Sequence, residues 1–428
     1  MVFRRDGGKA VSARGVTTGE TRLQGGESVL FSERDIDALR ILRWCQYAAP
    51  ENMARVFGDV TIANLEALRL VRQQKQRPKK DKKQGEEQKR KEKEQSETVP
   101  SFLTLTAKGD GFLGAFLSEL PPKAPKTYAE EKILRRVRFS KLALTAYRAG
   151  FSVFSTKAED LQCGPSLFLP VIARGRLANP WSSSRIAAIT RMGDTLAAVH
   201  YVCPGIGKIL LTDELTAFSN NTSQIKAARR VILFGGESYR DILAELEDLP
   251  EQQAEEKGGG RKKKKRRKED GYLFSYGESY EKIGMDIHLL PCDDTGALQL
   301  RLMSREDYRR RLTEAALLSY YQPPPEEHPE WDAMFEGRPF VMAADMNLRR
   351  VQKAILSAQK NNLMPIAMAA LPGQAEAVLN TRYRDACLAR VFMLSPKALG
   401  EVVDPTLYEP PARAFLTKEG GAADVPLL

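Results

Sequence analysis

The pattern of apolar and polar positions predicts several helices before any strand in the N-terminal part of the chain. Apolar residues recur at every third position from Ile36 to Cys45, which is typical of one buried helical face and predicts a helix through about Ala48. Ser32 precedes this run as an N-cap residue, with Asp35 in the capping-box position. The other elements predicted in this part are helices at 51–57 and from Thr61 onward, strands at 70–74 and 102–106, and a helix at 112–120.

Downstream of an amphipathic helix at 131–150, the pattern mixes strands with helices. The turn at 191–194 separates two apolar runs and predicts a β-hairpin. The predicted strands are 166–173, 185–190, 195–202, 208–211, 231–234, 272–275 and 285–291, and the predicted helices are 222–229, 239–249 and 304–321. From residue 339 onward, strands at 339–344, 364–370 and 388–394 alternate with helices at 347–361 and 374–383. This βαβαβ order predicts a parallel sheet.

Two segments of the chain are rich in Lys and Arg and differ in charge from the remainder. Segment 72–95 has eleven Lys/Arg against five Asp/Glu, and segment 257–268 has nine Lys/Arg and no acid. Together they carry a net +15, whereas the whole 428-residue chain carries +11, so the remainder is net −4. The sequence therefore predicts a slightly acidic body with two cationic segments, which are suited to binding polyanions by phosphate neutralisation. For the second segment, a solubilising loop without a specific partner stays an alternative.

One sequence motif in the N-terminal part indicates what kind of domain its predicted helices and strands form. The stretch Leu103–Gly109 (LTLTAKG) resembles the Y-x-L-T-x-K-G sequence that closes the wing in many bacterial winged-helix DNA-binding domains. The predicted order of three helices, two strands and a helix is also that of a winged helix. In that fold the third helix enters the major groove and the wing contacts the backbone. Protein contact or dimerisation is the alternative use of such a domain.

The predicted DNA contacts follow from this resemblance and from the basic segments. The outward side of the third helix offers few groups that read base edges, and Glu66 lies among them. The predicted DNA-binding residues are Thr61, Asn64, Arg69, Arg72, Gln73, Lys75, Lys79, Lys80 and Lys108 in the N-terminal part, and Arg261, Lys262, Lys263, Lys264, Lys265, Arg266 and Arg267 in the second basic segment.

Several other classes of protein are disfavoured by what the sequence lacks. The five cysteines form no C-x-x-C pair, which predicts reduced, mostly buried thiols, and the three histidines form no metal-binding cluster. The sequence predicts no cofactor and no metal. No apolar run approaches the roughly 18 residues that span a bilayer, and no apolar signal segment follows the N-terminus, so a cytoplasmic protein without a membrane partner is expected.

A metal-dependent nuclease or nicking enzyme stays open as an alternative, because acids follow several predicted strands. Candidates are Asp194, Asp213 with Glu214, Asp293 with Asp294, and Asp345. No Glu-x-Lys triplet follows Asp194 on the next strand, and each of these acids also suits a turn or a helix cap. No catalytic residue is therefore predicted.

The order of elements resembles the replication-relaxation type of protein carried by plasmids and integrative conjugative elements of Gram-positive bacteria. The resemblance rests on the Leu103–Gly109 stretch, on 184–189 with its hairpin to 197–199, and on Val231–Gly235. It implies a winged helix-turn-helix followed by an α/β region similar to a degenerate nuclease. The fold class expected is α+β. Five segments are expected along the chain. The first two are a disordered tail at 1–28 and a winged-helix domain at 29–121, which has a lysine-rich insert at 76–100. A central α/β domain at 127–321 follows, which has a mixed sheet and a basic insert at 250–270, and then a C-terminal α/β segment at 339–400 and an irregular tail at 401–428.

The resemblance implies a non-enzymatic protein of a mobile genetic element. Its expected partners are duplex DNA and other replication or transfer proteins, with a dimer as one open oligomeric state. A protein-interaction scaffold is the remaining alternative, because a winged helix also serves protein contact.

Overall fold

The chain is a mixed α+β protein that divides into two compact units. Unit 1 comprises Met1–Leu144 and Glu409–Leu428, and unit 2 comprises Thr145–Tyr408. The computed structural model describes residues 2–3, 20–22, 28–75, 101–117, 120, 123, 130–154, 165–168, 186–202, 215–220, 222–223, 225–247 and 285–410. The second basic segment and the predicted strands at 208–211 and 272–275 lie outside these ranges.

Unit 1 contains helices, one hairpin and a small N-terminal sheet. Strands β1 (Val2–Phe3), β2 (Glu20–Arg22) and β3 (Ser28–Leu30) form this sheet inside the interval where a disordered tail is predicted. The elements that follow are α1 (Glu33–Cys45), α2 (Pro50–Phe57), α3 (Asp59–Ala67), β4 (Val71–Lys75), β5 (Ser101–Leu105), α4 (Ala107–Phe116) and α5 (Glu130–Arg148), which begins in unit 1 and ends in unit 2.

Helix α1 begins at Glu33, directly after its N-cap residue Ser32. The Ser32 hydroxyl accepts from the backbone N–H of Asp35, and the Asp35 carboxylate accepts from Ser32, so the predicted capping box is confirmed. The apolar stripe of the helix, from Ile36 to Cys45, is buried. The helix ends at Cys45, three residues before the predicted end, and Ala48 forms a β-bridge with Leu103 of β5 instead. This bridge adds a third extended segment beside the hairpin.

Unit 2 contains a five-stranded mixed sheet in the order β10-β9-β8-β7-β6. Its strands are β6 (Ser166–Phe168), β7 (Ile186–Met192), β8 (Thr195–Tyr201), β9 (Ala228–Phe234) and β10 (Asp286–Leu290). Strands β7 and β8 form the predicted hairpin, and Gly193 in its turn has a φ of 55°, a conformation that glycine adopts without strain. Strands β8, β9 and β10 are parallel, as the alternation with helices favours.

A second sheet in unit 2 has the order β11-β12-β13-β14. Its strands are β11 (Ala333–Phe335), β12 (Arg338–Met342), β13 (Ile366–Ala370) and β14 (Ala389–Met393), and the last three are parallel, as the βαβαβ pattern predicts. The helices described in unit 2 include α6 (Tyr239–Glu247), α7 (Asp294–Met303), α8 (Tyr308–Leu317), α9 (Leu348–Lys360), a π-helix (Ala375–Arg384) and α10 (Pro396–Gly400), and residues 215–220 are also helical. A bridge between His288 and Asn347 joins the two sheets, and one apolar core packs against both.

One helix predicted in unit 2 is wrong, and another is shorter than predicted. Residues 222–229 are predicted as a helix, but β9 begins at Ala228, because the guanidinium of Arg229 donates to the carbonyls of Thr222 and Ile225 and holds the preceding chain in an irregular loop. The helix predicted at 304–321 is shorter and runs from Tyr308 to Leu317 as α8, because Asp307 takes a left-handed φ of 50° just before it, and α7 at Asp294–Met303 was not predicted.

Candidate nucleic-acid interface

Helix α3 buries one side and exposes the other. Ile62 and Leu65 are buried against the core of unit 1, Asn64 is exposed and Thr61 is half-buried. Arg69 is also exposed, but it lies two residues beyond the helix, in the turn into β4, with a left-handed φ of 58°. The side of α3 that faces away from the core is short and mixes polar with apolar residues, because Val60, Ala63 and Ala67 are exposed beside Asn64.

The hairpin of β4 and β5 continues from this turn. The two strands pair antiparallel from Val71 opposite Leu105 to Lys75 opposite Ser101. Because Lys75 and Ser101 are the last pair, residues 76–100 connect the strands at the tip of the hairpin. Lys79 and Lys80 belong to this connection and lie outside the described residues.

Two of the predicted contact residues project from the hairpin. Arg72 and Gln73 are both exposed on β4. The Arg72 Nε lies 3.4 Å from the Thr104 hydroxyl, and the Gln73 side-chain amide donates to the Ser101 hydroxyl at 3.0 Å. These bonds restrain the side chains and leave them accessible from solvent.

The Leu103–Gly109 motif holds the end of α3 against the start of α4. Thr106 is the N-cap of α4: its hydroxyl accepts from the Gly109 N–H at 3.0 Å and donates to the Leu70 carbonyl at 2.9 Å. The Thr106 N–H also donates to the Leu70 carbonyl, at 3.0 Å. A Cβ on residue 109 would lie 2.2 Å from that same oxygen, so only glycine fits. The motif thereby fixes the hairpin relative to α3.

Lys108 has a partner within unit 1. Its ammonium group donates to the Leu68 carbonyl at 2.7 Å, at the C-terminal end of α3. A cation is favourable there because the last carbonyls of a helix carry partial negative charge. The prediction of a DNA contact from Lys108 stays a prediction, but its position in the motif has this structural reason.

Val60 is an exposed residue of this surface that the apolar pattern does not single out. It lies in the first turn of α3 with 73% of its surface exposed. Its position two residues before Ile62 puts it off the buried stripe, which is the signal that could have identified it.

The acids considered for a nuclease have local structural roles wherever they are described. Asp293 is the N-cap of α7 and accepts from the Gly296 N–H at 2.7 Å. Asp294 forms an ion pair with Arg148, and Asp194 lies in the β7–β8 turn. Asp213 and Glu214 lie outside the described ranges. Within those ranges no group of three or more His, Cys, Asp or Glu side chains could hold a metal ion.

Asp345, beyond the carboxyl end of β12, lies in a buried ion network. Its carboxylate accepts from the Tyr308 hydroxyl at 2.7 Å and from the Asn347 N–H at 3.1 Å. Burial would raise the pKa of Asp345, but Arg350, whose Nη2 lies 3.7 Å from Oδ1, holds it well below its usual range. Arg350 also forms an ion pair with Asp332. Because Asp345 is only 1% exposed, this network holds the strand end in place and offers no open carboxylate.

Glutamine side chains extend the same network between the sheets of unit 2. The Gln299 amide donates to the carbonyls of Leu289 and Asp345, each at 2.9 Å, and so ties the end of β10 to the end of β12. The Gln374 amide donates to the Ala344 carbonyl at 2.8 Å and to the Tyr239 hydroxyl at 3.0 Å. Buried polar groups that are satisfied in this way fix the relative position of the strands.

The prediction of mostly buried thiols is confirmed for the cysteines that the structure describes. Cys45 and Cys292 are buried free thiols, whereas Cys387 is exposed. Burial raises the pKa of the Cys45 thiol, so this group stays protonated at neutral pH.

Among the described helices, none has the length and apolar character needed to cross a bilayer.

Comparisons with known protein families, with curated proteins and with solved structures give no match to this chain.

Proposed function

We propose that unit 1 contains a winged helix that binds duplex DNA, and that the protein is a non-enzymatic DNA-binding protein of the replication-relaxation type. Its role would be replication, transfer or transcriptional control of a mobile element in the cytoplasm of its host, together with other replication or transfer proteins. The observation that carries the proposal is the β4–β5 register, which puts the lysine-rich connection 76–100 at the tip of the hairpin, where a wing meets DNA.

The order of elements in unit 1 supports this proposal. Helices α1, α2 and α3 precede the hairpin, α4 follows it, and Ala48 bridges Leu103 between α1 and α2. A short extended segment between the first two helices of a three-helix domain, paired with the wing, suits a winged helix. In this arrangement α3 is the helix that enters the major groove.

The exposed residues divide into two kinds of DNA contact. Asn64 on α3 has the amide that pairs with an adenine edge, and it would contribute sequence preference. Arg69 and Arg72 flank the start of β4 and would bind phosphates, which adds affinity without sequence information. The lysine-rich connection and the second basic segment would increase the salt-sensitive part of the affinity in the same way.

Fluorescence anisotropy of the full-length protein with labelled duplexes tests the proposal. Asn64→Ala is expected to weaken binding by about 1–3 kcal/mol at a preferred site and to relax the preference. Arg72→Gln is expected to weaken binding to all sequences and to reduce the slope of log K against log salt by about 1. The matched controls, Gln359→Ala and Lys353→Gln, change exposed residues of α9 in unit 2 and should leave binding unaltered.

Other outcomes of the same assay favour the competing hypotheses. If the intact protein binds no duplex at physiological salt, a protein-interaction scaffold becomes the better account. If Mg²⁺ causes cleavage of the labelled duplex, a nuclease becomes the better account, and Asp213→Ala is then the informative variant. Asp293→Ala is less informative, because removal of the α7 cap alone would destabilise unit 2 by about 1 kcal/mol.

A further inference from the structure

Strand β14 forms one edge of the second sheet of unit 2, and its outer side pairs with no strand that the structure describes. The opposite edge, β11, is covered, because the Met334 N–H donates to the Gln322 carbonyl at 2.8 Å in a β-bridge. An edge strand presents a row of backbone N–H and C=O groups that can pair with another chain. Strand β14 (ARVFM) contains no proline or lysine, the residues that commonly prevent such pairing.

Apolar side chains are exposed beside this edge. A cavity of about 330 Å³ lies between the end of α8 and the sheet, and Tyr320, Phe392 and Met393 are among the residues that line it. The ring of Phe335 lies between Tyr320 and Phe392, with centroids 6.1 Å and 6.0 Å from theirs. Leu318 is exposed in the same 3₁₀ turn as Tyr320. This β14 patch thus includes four of the eight large apolar residues that are exposed in the described part of the chain, which is typical of an interaction surface.

The hydrogen bonds between β13 and β14 determine which backbone groups of β14 point outward. Before the strand begins, the Leu388 carbonyl accepts from the Ile366 N–H at 3.1 Å, and after it ends, the Leu394 N–H donates to the Ala370 carbonyl at 2.9 Å. Backbone groups alternate in direction from one residue of a strand to the next, so the even-numbered residues of this stretch bond to β13. The odd-numbered residues direct both N–H and C=O away from the sheet, and they are Ala389, Val391 and Met393.

These outward groups are symmetric about Val391, so the strand is complementary to a second copy of itself. In an antiparallel pair centred on Val391, the two valines exchange both backbone hydrogen bonds, and Ala389 of each copy is opposite Met393 of the other. Every outward N–H then meets an outward C=O. On the other face of the sheet, Arg390 of one copy is opposite Phe392 of the other, an arrangement that suits a cation–π contact. The pairing therefore sets a small side chain against a large one, and a cation against an aromatic ring.

The exposed apolar area of the β14 patch suits a stable dimer. Its four exposed side chains have between 44% and 67% of their surface accessible. They offer on the order of 100 Å² each, or about 800 Å² for two copies. A standard interface buries about 1,600 Å² in total, and a little over half of this area is apolar. The patch therefore supplies about the apolar area that such an interface requires. Glu336, whose carboxylate lies 3.9 Å from Arg390, offsets the repulsion between the two copies of Arg390 near the symmetry axis.

We propose that unit 2 binds a second copy of this chain through β14, which joins the two four-stranded sheets into one continuous sheet. The interface is isologous, because the same strand and the same patch serve on both copies. A second copy fits this edge better than an unrelated strand, because pairing about Val391 satisfies every outward backbone group and matches the side chains on both faces. The inference goes beyond DNA binding by unit 1 and does not depend on it.

Sedimentation velocity of the full-length protein without DNA, over a range of concentrations, tests the proposal. Phe392→Lys puts a charge into the patch, and Val391→Pro removes an outward N–H that β13 does not use. Both variants are expected to be monomeric at concentrations at which the unmodified protein is a dimer. The matched control, Leu356→Lys, changes a side chain of α9 with the same 44% exposure as Phe392 and should stay dimeric. Thermal unfolding verifies that each variant is folded.

Oxidative cross-linking tests the register of the two strands. The background is Cys387→Ser, which removes the exposed thiol and supplies the baseline. In it, Val391→Cys should form a disulfide between copies, because Cα atoms of a hydrogen-bonded antiparallel pair are about 5.5 Å apart. Met393→Cys is at a more exposed position but should not, because its two copies are separated by roughly 13 Å along the strands.

The expected result is a dimer that both β14 variants abolish and the α9 control retains, with a cross-link above the baseline from Val391→Cys alone. The inference is overturned if the unmodified protein is monomeric at every concentration, or if its dimer persists in both β14 variants, since another surface would then join the copies. Cross-linking of Met393→Cys as efficient as that of Val391→Cys would overturn the pairing about Val391.

Discussion

Two glycines of α4 that lie two residues apart should respond oppositely to the same substitution. Gly109 is in the wing-closing motif, and a Cβ there would lie 2.2 Å from the Leu70 carbonyl oxygen and 2.7 Å from a Leu105 methyl carbon. At Gly111 a Cβ meets nothing within 4 Å. Gly109→Ala therefore forces α4 away from the start of β4, whereas Gly111→Ala only changes the helix propensity.

The magnitude follows from the bonds that such a shift breaks. A normal contact requires α4 to move by about 1 Å, which stretches three hydrogen bonds that join the motif to the end of α3. At about 1 kcal/mol each they account for roughly 3 kcal/mol. Alanine returns about 1 kcal/mol of helix propensity at either position. Gly109→Ala should thus destabilise unit 1 by about 2 kcal/mol, and Gly111→Ala should stabilise it by about 1 kcal/mol.

Hydrogen exchange measured on peptides from 33–57 and 101–117 reports the opening free energy of unit 1 in each variant. Duplex binding is measured on the same samples, and we expect Gly109→Ala to lower affinity while Gly111→Ala leaves it unaltered. Equal stability of the two variants would refute the reasoning, because it would mean that the contact between Gly109 and Leu70 does not constrain the hairpin.

Three further predictions concern unit 2 and the second basic segment. Asp345→Asn should lower the free energy of unfolding, measured in urea, by about 3 kcal/mol, because it leaves Arg350 buried with less counter-charge. The control Asp294→Asn changes the exposed carboxylate of the ion pair with Arg148 and should lower this free energy by less than about 0.5 kcal/mol. Burial lowers the pKa of His200 to about 3, below its unfolded value of about 6.5. The free energy of unfolding should therefore fall as the pH drops from about 6.5 to about 3. Urea titrations at several pH values should show a weaker dependence of this free energy on pH in His200→Gln. Replacing the lysines and arginines of 261–268 by Gln should weaken binding to all duplexes and flatten the salt slope, and unaltered affinity at low salt would remove this segment from the interface.

The apolar pattern predicts helices α1, α2 and α3 of unit 1 because each buries apolar residues on one side, but it misses the sheet of β1, β2 and β3. Helix α3 begins at Asp59 without a side-chain cap, two residues before the predicted start at Thr61. The capping box of Ser32 and Asp35 and the glycine at position 58 are helix start and stop signals that can be identified from the sequence alone. Helix α4 begins five residues before the prediction, since Thr106 caps it, and a threonine three residues before Gly109 is a signal that the sequence contains.

Unit 2 is less predictable because long-range polar contacts decide several of its boundaries. The loop before β9 follows the hydrogen bonds of Arg229, and the bridge between His288 and Asn347 joins sheets from segments far apart in sequence. The buried position of Asp345 depends on Tyr308 and Arg350, which no spacing rule brings together. Of the candidate interface, the sequence identifies the exposed polar residues of α3 and β4, but the partner of Lys108 requires the structure.

The most direct test of DNA binding by unit 1 compares the intact protein with a form that lacks both basic inserts, 76–100 and 250–270. Fluorescence anisotropy with several duplexes, at several salt concentrations, measures affinity and preference in both forms. We predict that the form without inserts binds more weakly and with a lower salt slope, yet still prefers the same sequences, because α3 reads the bases. Loss of all binding on removal of the inserts would contradict the account, since the basic segments alone would then hold the DNA.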